Sequence, residues 1–135
     1  MMISTRGRYA LRVMIDLAEH KEQYVAMKDV AQRQDLSLKY LEKILPALTK
    51  SDYVVGIHGK GGGYKLTKEP KDYKVGDILR VTEKTFVPVA CLENTAEECA
   101  HLKVCKTRPL WEKLSSIVND YLDSITLEDL MNNKI

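Results

Sequence analysis

The sequence lacks most of what enzyme active sites and membrane segments require. Its three histidines, His20, His58 and His101, are too scattered to form a catalytic pair of nucleophile and base. No apolar run approaches the ~20 residues that a membrane-spanning helix needs. The N-terminus turns polar and basic by Arg6, which argues against a secretory signal. We therefore expect a cytoplasmic protein that is neither an enzyme nor embedded in a membrane.

Cysteine is also scarce, and the three cysteines all lie in one segment as Cys91-x7-Cys99-x5-Cys105. Disulfides are improbable in the cytoplasm, so clustered thiols indicate metal or redox chemistry. Iron–sulfur clusters are usually held by four ligands. Structural zinc sites favour closely paired ligands, and here only Cys99 and His101 are close in sequence. The spacing leaves an iron–sulfur cluster, zinc and three ordinary thiols open.

Length and charge indicate one small globular unit with an uneven charge distribution. The chain has 135 residues, 44% of them hydrophobic, which suits one compact domain with little extra. The net charge is +2, but residues 1–68 carry +5 and the remainder −3. A basic first half with an acidic second half is typical of a nucleic-acid face joined to a regulatory or oligomeric part.

The first predicted helix covers residues 5–19, with Ser4 or Thr5 available as its N-cap. Arg6 and Arg8 lie in its first turns, where the helix macrodipole disfavours positive charge. Contact with DNA phosphates is the simplest compensation, and solvated arginines on an exposed face are the alternative.

Two further helices are predicted close together. Residues 25–33 form the first, residues 34–36 a turn, and Ser37 caps the second. The apolar positions of the second helix keep a helical period and are Leu38, Leu41, Ile44, Leu45 and Leu48. Pro46 should bend this helix or loosen its C-terminal half. Two short helices joined by about three residues are typical of a helix-turn-helix.

A β-hairpin is predicted directly after the helix-turn-helix. Residues 53–58 alternate like a strand, 59–63 form a glycine-rich turn, and 64–67 return. The fold class is therefore mainly α with a small β-hairpin: a winged helix-turn-helix. Glycine spacing in this turn fits neither common nucleotide-binding loop, so the three consecutive glycines indicate a sharp turn or a close approach.

The rest of the chain is predicted as a helix over 73–82, a loop over 86–106, a long helix over 109–124 and a short helix capped by Thr126. The apolar stripe of the long helix is too wide for a lone helix on a small domain. We therefore expect a homodimer, which would match the half-site symmetry of most operators; packing of the stripe against the core alone is the alternative. The predicted parts are a DNA-binding domain (1–84), a cysteine-bearing sensor loop (85–108), and a dimerisation helix with the C-terminal tail (109–135).

The predicted partner is double-stranded operator DNA. Polar side chains outside the apolar stripe near the start of the recognition helix would enter the major groove, where lysine binds phosphate or guanine and glutamate accepts from cytosine N4. A basic wing tip would contact the backbone or the minor groove. The candidate DNA-contacting set is Arg6, Arg8, Ser37, Lys39, Tyr40, Glu42, Lys43, His58 and Lys60.

These residues together resemble a known family, the IscR-type regulators, which include IscR, NsrR, RirA and CymR. The resemblance covers nearly the whole chain. It rests on Ser4–Leu11, Leu36–Glu42, Gly61–Tyr64, the three cysteines, Leu110-Trp111 and Ile125–Leu127. It implies a homodimeric winged helix with a long dimerisation helix. In many members it also implies an iron–sulfur cluster, with the 2Fe–2S form favoured here and 4Fe–4S as the alternative. Cys91, Cys99 and Cys105 fall on the cluster-ligand segment, which CymR-like members lack.

The sequence departs from the family pattern at four places. The first cysteine interval is two residues longer than usual. Arg108 stands where IscR supplies a histidine ligand, and Arg8 where NsrR supplies an aspartate. His58 replaces an arginine of the IscR wing. The fourth ligand is therefore open among Glu93, Glu97, Glu98, His101 and an exogenous thiol.

Three modes of control follow as hypotheses. In the leading one, cluster occupancy repositions the cysteine segment against the long helix and the DNA-binding domain. In the second, Cys99 or Cys105 is a metal-free redox switch. In the third, a protein partner such as a metabolic enzyme controls the regulator.

Overall fold

The helices and the hairpin follow one another in the predicted order in a computed structural model, which describes residues 3–93 and 104–135. The elements are α1 (Thr5–Glu19), α2 (Met27–Gln34), α3 (Leu38–Lys50), β1 (Val54–Ile57), β2 (Gly63–Leu66), α4 (Val75–Thr82), α5 (Arg108–Asp123) and α6 (Leu127–Met131). Single-turn 3-10 helices occupy Pro70–Asp72 and Ala90–Leu92. The mainly helical fold with one hairpin is thus confirmed.

The turn between α2 and α3 is set by its end residues. Asp35 ends α2 in the left-handed conformation, with φ 54°, which a short polar side chain tolerates better than most. Ser37 caps α3 as predicted, because its Oγ accepts a hydrogen bond from the Tyr40 amide at 3.3 Å. The helix then continues through Pro46 to Lys50.

Val25 does not begin α2 as predicted. It forms an antiparallel bridge with Tyr64, and the two residues exchange backbone hydrogen bonds of 2.8 and 2.9 Å. The segment before α2 therefore lies beside the hairpin, and α2 begins two residues later at Met27. A β-branched residue suits this extended position better than a helical one.

The wing is a two-stranded antiparallel hairpin whose register runs from Val54 opposite Leu66 to Ile57 opposite Gly63. The backbone geometry of the hairpin explains why several of its positions are glycine. Gly59 and Gly61 adopt positive φ angles of 92° and 78°, which favour glycine in a tight turn. A Cβ at Gly63 would collide with the backbone of Val25. The close approach that the glycine run predicted is therefore an approach to the chain itself.

The core joins both ends of the chain. Met14 and Leu17 of α1, Leu41 of α3, Ile78 of α4 and Leu127 of α6 are each at most 1% exposed. The segment before α6 pairs with the segment before α4: the Val75 amide donates to the Ile125 carbonyl at 2.9 Å, and the Leu127 amide donates to the Tyr73 carbonyl at 3.0 Å. The last helix thus belongs to the same hydrophobic core as the first three.

One predicted core position is wrong. The helical spacing of Leu38 predicts it as part of the apolar stripe of α3, but its side chain is 39% exposed. Residue 38 is the first of the helix, and the buried face begins only with Leu41, Ile44 and Leu45.

In the residues that the structure describes, every helix is too short or too polar to cross a membrane.

Candidate nucleic-acid interface and cysteine segment

The first turns of α3 present a polar surface opposite its buried face. Ser37, Lys39, Glu42 and Lys43 are all exposed, whereas Leu41 and Ile44 are at most 1% exposed. The N-terminal part of a recognition helix is the part that contacts base edges in helix-turn-helix proteins. These side chains are therefore available for such contacts.

Tyr40 differs from the other candidates of this helix because it is half-buried. Its ring packs edge-on against Tyr9 of α1, with ring centroids 5.3 Å apart, and the Arg12 guanidinium lies 5.8 Å from the Tyr9 ring centre. Tyr40 therefore also fixes α3 on α1, a role that the sequence pattern did not reveal.

Arg6 and Arg8 are exposed at the start of α1, and a negative charge lies close to this helix end. The Glu83 carboxylate accepts hydrogen bonds from the Ser4 amide at 3.0 Å and from the Ser4 hydroxyl at 2.9 Å. Ser4 in turn caps α1 by accepting from the Gly7 amide at 3.1 Å. An anion at a helix N-terminus is stabilising, so Glu83 helps α1 to carry two arginines in its first turns.

An ion pair between buried Asp16 and exposed Arg33 fixes α2 against α1. Asp16 is 2% exposed and receives two hydrogen bonds from Arg33, at 2.7 and 3.0 Å, and one from Gln34 at 3.1 Å. Arg12 also donates to both the side chain and the backbone carbonyl of Gln34. Burial alone would raise the pKa of Asp16, but the hydrogen bonds and the charges of Arg33 and His20 hold it below its usual value.

The wing positions its tip residues away from the core. His58 and Lys60 are both exposed. At the base of the hairpin the Tyr73 hydroxyl donates to the Tyr53 carbonyl at 2.7 Å and accepts from the amides of Thr67 and Lys68, each at 3.1 Å. This anchor fixes the hairpin on the segment that precedes α4.

Two of the three candidate cysteines are linked to the same arginine. Arg108 donates from Nη1 to the carbonyl of Cys91 at 3.3 Å and from Nε to Glu112 at 2.7 Å. Cys105 lies three residues before Arg108, just ahead of α5. Both thiols are free and partly exposed. Cys99 lies outside the described residues, as do Glu97, Glu98 and His101. In the part of the chain that the structure describes, the link across the cysteine segment is the hydrogen bond from Arg108 to the Cys91 backbone.

Cys105 lies in a polar environment that favours its thiolate. Its Sγ is 3.4 Å from the Thr107 hydroxyl. This side-chain hydrogen bond, with backbone hydrogen bonds from Thr107 and Arg108 and the charge of Arg108, lowers the pKa of the Cys105 thiol. Within the described residues, no group of three histidine, cysteine, aspartate or glutamate side chains is arranged to hold a metal.

Arg80 connects α4 to α5 beside a cavity that Leu92, the neighbour of Cys91, also lines. Its guanidinium donates to Asn119 at 2.7 Å and pairs with Asp123 at 2.8 Å, both on α5. It also lies 5.8 Å from the ring centre of Phe86, which follows α4. A cavity of ≈ 430 Å³ adjoins these groups and is also lined by Leu92. A shift of the cysteine segment would therefore reach both helices.

The long helix α5 leaves an apolar face uncovered. Its sixteen residues are all at least partly exposed. The large apolar side chains on one face are Leu110 (58% exposed), Leu114 (40%), Ile117 (54%) and Tyr121 (55%). Trp111, Val118 and Leu122, predicted as part of the same stripe, are instead half-buried. The predicted wide stripe therefore divides into an exposed strip and a part that faces the rest of the chain.

Comparison with known proteins gives a consistent relationship over the whole chain. Residues 3–133 match the Rrf2 family of iron-dependent transcriptional regulators. The chain is 40% identical to Protein rrf2 of Nitratidesulfovibrio vulgaris, covering 98% of this chain and 89% of the relative. It is 36% identical to the HTH-type transcriptional regulator IscR of Pectobacterium atrosepticum, covering 99% of this chain and 81% of the relative.

Solved structures show the same fold. CymR, the global cysteine regulator of B. subtilis, superposes with a TM-score of 0.81 at 41% identity, covering 98% of each chain. IscR of T. potens superposes with a TM-score of 0.78 at 38% identity, covering all of this chain and 89% of that one. With helix-turn-helix, wing and sequence in agreement, the chain belongs to the Rrf2 family of DNA-binding transcriptional regulators and is not an enzyme.

Proposed function

We propose that this regulator is a cytoplasmic homodimer whose operator affinity is controlled by an iron–sulfur cluster held by Cys91, Cys99 and Cys105. The observation that carries the proposal is the link from Arg108 to the Cys91 carbonyl. It holds the start of the cysteine segment at the beginning of α5, three residues from Cys105. Iron–sulfur clusters are held by cysteine thiolates, which this segment supplies at both ends and in the middle. Structural zinc sites instead use closely spaced pairs of ligands, which the three cysteines do not form.

The ligand set has one unassigned position. Arg108 cannot ligate, because guanidinium stays protonated and offers no lone pair. Glu93 is partly exposed near Cys91, and Glu97, Glu98, His101 or an exogenous thiol remain as alternatives. When bound, the cluster would supply a redox- and iron-sensitive crosslink, while the protein side chains determine how its presence is transmitted. The 2Fe–2S form is favoured, with 4Fe–4S as the alternative.

Two contacts support a route from the cysteine segment to the DNA-binding face. Arg80 couples the segment after α4 to α5 through Phe86 and Asn119. Glu83, at the C-terminal end of α4, is bonded to Ser4 at the start of α1. Binding of a cluster by the cysteines would restrict residues 84–90, which lie in the chain between Glu83 and Cys91. The positions of Arg6 and Arg8 relative to α3 would then depend on whether the cluster is present.

The exposed strip of α5 supports the dimer. Four large apolar side chains along one helix face are costly in water, and a second copy of the same helix would cover them. Two recognition helices related by a twofold axis would then contact successive major grooves of a palindromic operator.

Purification without oxygen, followed by a visible absorption spectrum and iron and sulfide analysis, tests the cluster. We expect coloured protein, loss of the colour in each single Cys→Ser variant, and an iron content that distinguishes two-iron from four-iron forms. Colourless protein that cannot be reconstituted would contradict the cluster. Thiol-dependent DNA binding would then favour a redox switch at Cys105, whose thiolate the surroundings already stabilise.

The control of operator affinity needs a separate experiment. Wild type and the triple Cys→Ser variant are compared for binding to operator DNA under iron-replete and iron-depleted conditions. We expect the affinity of the wild type alone to change. Identical binding by both proteins under every condition would refute cluster control while leaving DNA binding intact.

A further inference from the structure

Leu38 is an apolar side chain in a polar surface. It is the first residue of α3 and is 39% exposed. Its neighbours Ser37 and Lys39 are exposed as well, while the buried face of the helix begins at Leu41. A single exposed leucine is ordinary on a protein surface, so its exposure alone assigns no role.

The position of Leu38 on the helix is more informative than its exposure. Leu38 is followed four residues later by Glu42, and residues four apart on a helix lie on the same side with Cβ atoms about 5–6 Å apart. Glu42 is exposed too. The two side chains therefore form one small surface, half apolar and half anionic, on the first turn and a half of α3. Lys39 and Lys43, likewise four residues apart and exposed, lie next to this surface on the same helix, and their charges suit the flanking phosphates.

The composition of this surface matches the major-groove edge of pyrimidines. Thymine presents a C5-methyl group that apolar side chains contact, and cytosine presents an N4 donor that a carboxylate accepts. A leucine side chain cannot bind phosphate, and its exposure to water is unfavourable. Contact with a thymine methyl group in the groove would remove apolar surface of both partners from water.

We propose that Leu38 reads the C5-methyl group of a thymine in each operator half-site. The thymine lies within two base pairs of the base contacted by Glu42, because the separation of the two side chains spans at most two steps of the DNA helix. Leu38 thereby becomes a specificity-determining residue alongside the polar set. The inference rests on the proposed placement of α3 in the major groove.

The test uses an operator selected from random double-stranded DNA by the full-length protein, purified without oxygen. Each thymine is then replaced in turn by uracil, which removes only the C5-methyl group and leaves the O4 acceptor in place. We expect one thymine per half-site at which this replacement weakens wild-type binding roughly fourfold. Replacing both symmetry-related thymines should weaken binding about fifteenfold.

The Leu38→Ala variant identifies the side chain responsible. It should lose that sensitivity and bind the thymine and uracil operators equally, while its thermal unfolding matches the wild type because the side chain is exposed. Val55→Ala is the matched control, since Val55 is 40% exposed on β1 outside the recognition helix. It should keep the wild-type sensitivity to uracil.

Three results would overturn the inference. Wild type could bind all uracil operators equally, or Leu38→Ala could keep the full sensitivity, and in both cases operator binding itself would stand. If the wild type selects no sequence, the proposed placement of α3 fails together with the role of Leu38.

Discussion

Glu83 and Ser4 are joined by two hydrogen bonds, from the Ser4 amide at 3.0 Å and its hydroxyl at 2.9 Å, although 79 positions separate them. The contact connects the end of α4 to the start of α1. It depends on Gly7, where a Cβ would collide with the carboxylate. Glu83, eight residues before Cys91, thus participates in capping the helix that carries Arg6 and Arg8.

We expect Glu83→Ala to lower the free energy of unfolding by about 1 kcal/mol, since it removes a helix-capping anion and two hydrogen bonds. It should also reduce the difference in operator affinity between coloured and cluster-free protein. Urea unfolding and operator titration measure the two effects. Glu83→Gln, which keeps an acceptor oxygen, should fall between alanine and wild type. An unchanged affinity difference in Glu83→Ala would exclude this contact from the route.

Asp16→Asn should destabilise the protein by about 1–3 kcal/mol at neutral pH, because it removes the charge of the buried carboxylate and one of the two oxygens that accept from Arg33. The pKa of Asp16 is lowered in the folded state, so its stabilising contribution is present above the unfolded value of about 3.9 and is lost as the pH falls through the lower folded value.

The difference in stability between wild type and Asp16→Asn should therefore shrink below about pH 4. Urea unfolding across this range measures it. Glu22→Gln, at an exposed position, serves as the control and should show no comparable effect. A difference that stays constant down to low pH would be inconsistent with a lowered pKa at Asp16.

Ile117→Lys should convert the proposed dimer to a monomer without unfolding it, because Ile117 is 54% exposed in the single chain and a buried charge at an apolar interface is costly. Sedimentation equilibrium measures the mass. Ser116→Lys adds the same charge at the adjacent exposed residue, away from the apolar strip, and should remain dimeric. If both variants keep the wild-type mass, the strip does not form the interface.

Gly63→Ala should destabilise the wing by more than Gly59→Ala. A Cβ at Gly63 meets the Val25 backbone, whereas the surroundings of Gly59 are open. The second change carries only the cost of a positive φ, about 1 kcal/mol. Urea unfolding compares the two variants, and operator affinity should fall more in Gly63→Ala. Equal losses would mean that the Val25 contact adds nothing to the requirement for glycine.

The helix ends could be predicted from the sequence because capping depends on residues that are neighbours in the chain. Ser37 and Thr126 were predicted as caps, and each caps its helix, Thr126 within a reciprocal pair with Asp129. Helical periodicity predicted the burial of Leu38 wrongly, because the pattern does not show whether the first residue of a helix is covered by the rest of the chain. It failed at Val25 because the pairing with Tyr64 is a tertiary contact.

The candidate site was less accessible to sequence reasoning. The exposed polar face of α3 followed directly from the spacing of its buried residues. The bond from Glu83 to Ser4 and the bonds from Arg33 to Asp16 did not, because such pairs form only when distant segments are packed together. The residue type of Arg108 shows only that it cannot be a metal ligand. Its hydrogen bond to the Cys91 carbonyl gives it a positioning contact that no pattern of residue types indicates.

The burial of Leu127 beside α1 has a consequence for how the protein is made. The first helix emerges early from the ribosome, but Leu127, which completes its packing, is synthesised only after all three cysteines. The DNA-binding fold is therefore finished only after the cysteine segment has already left the ribosome. Assembly of any metal centre thus meets a chain whose ligands are all available before its core has closed.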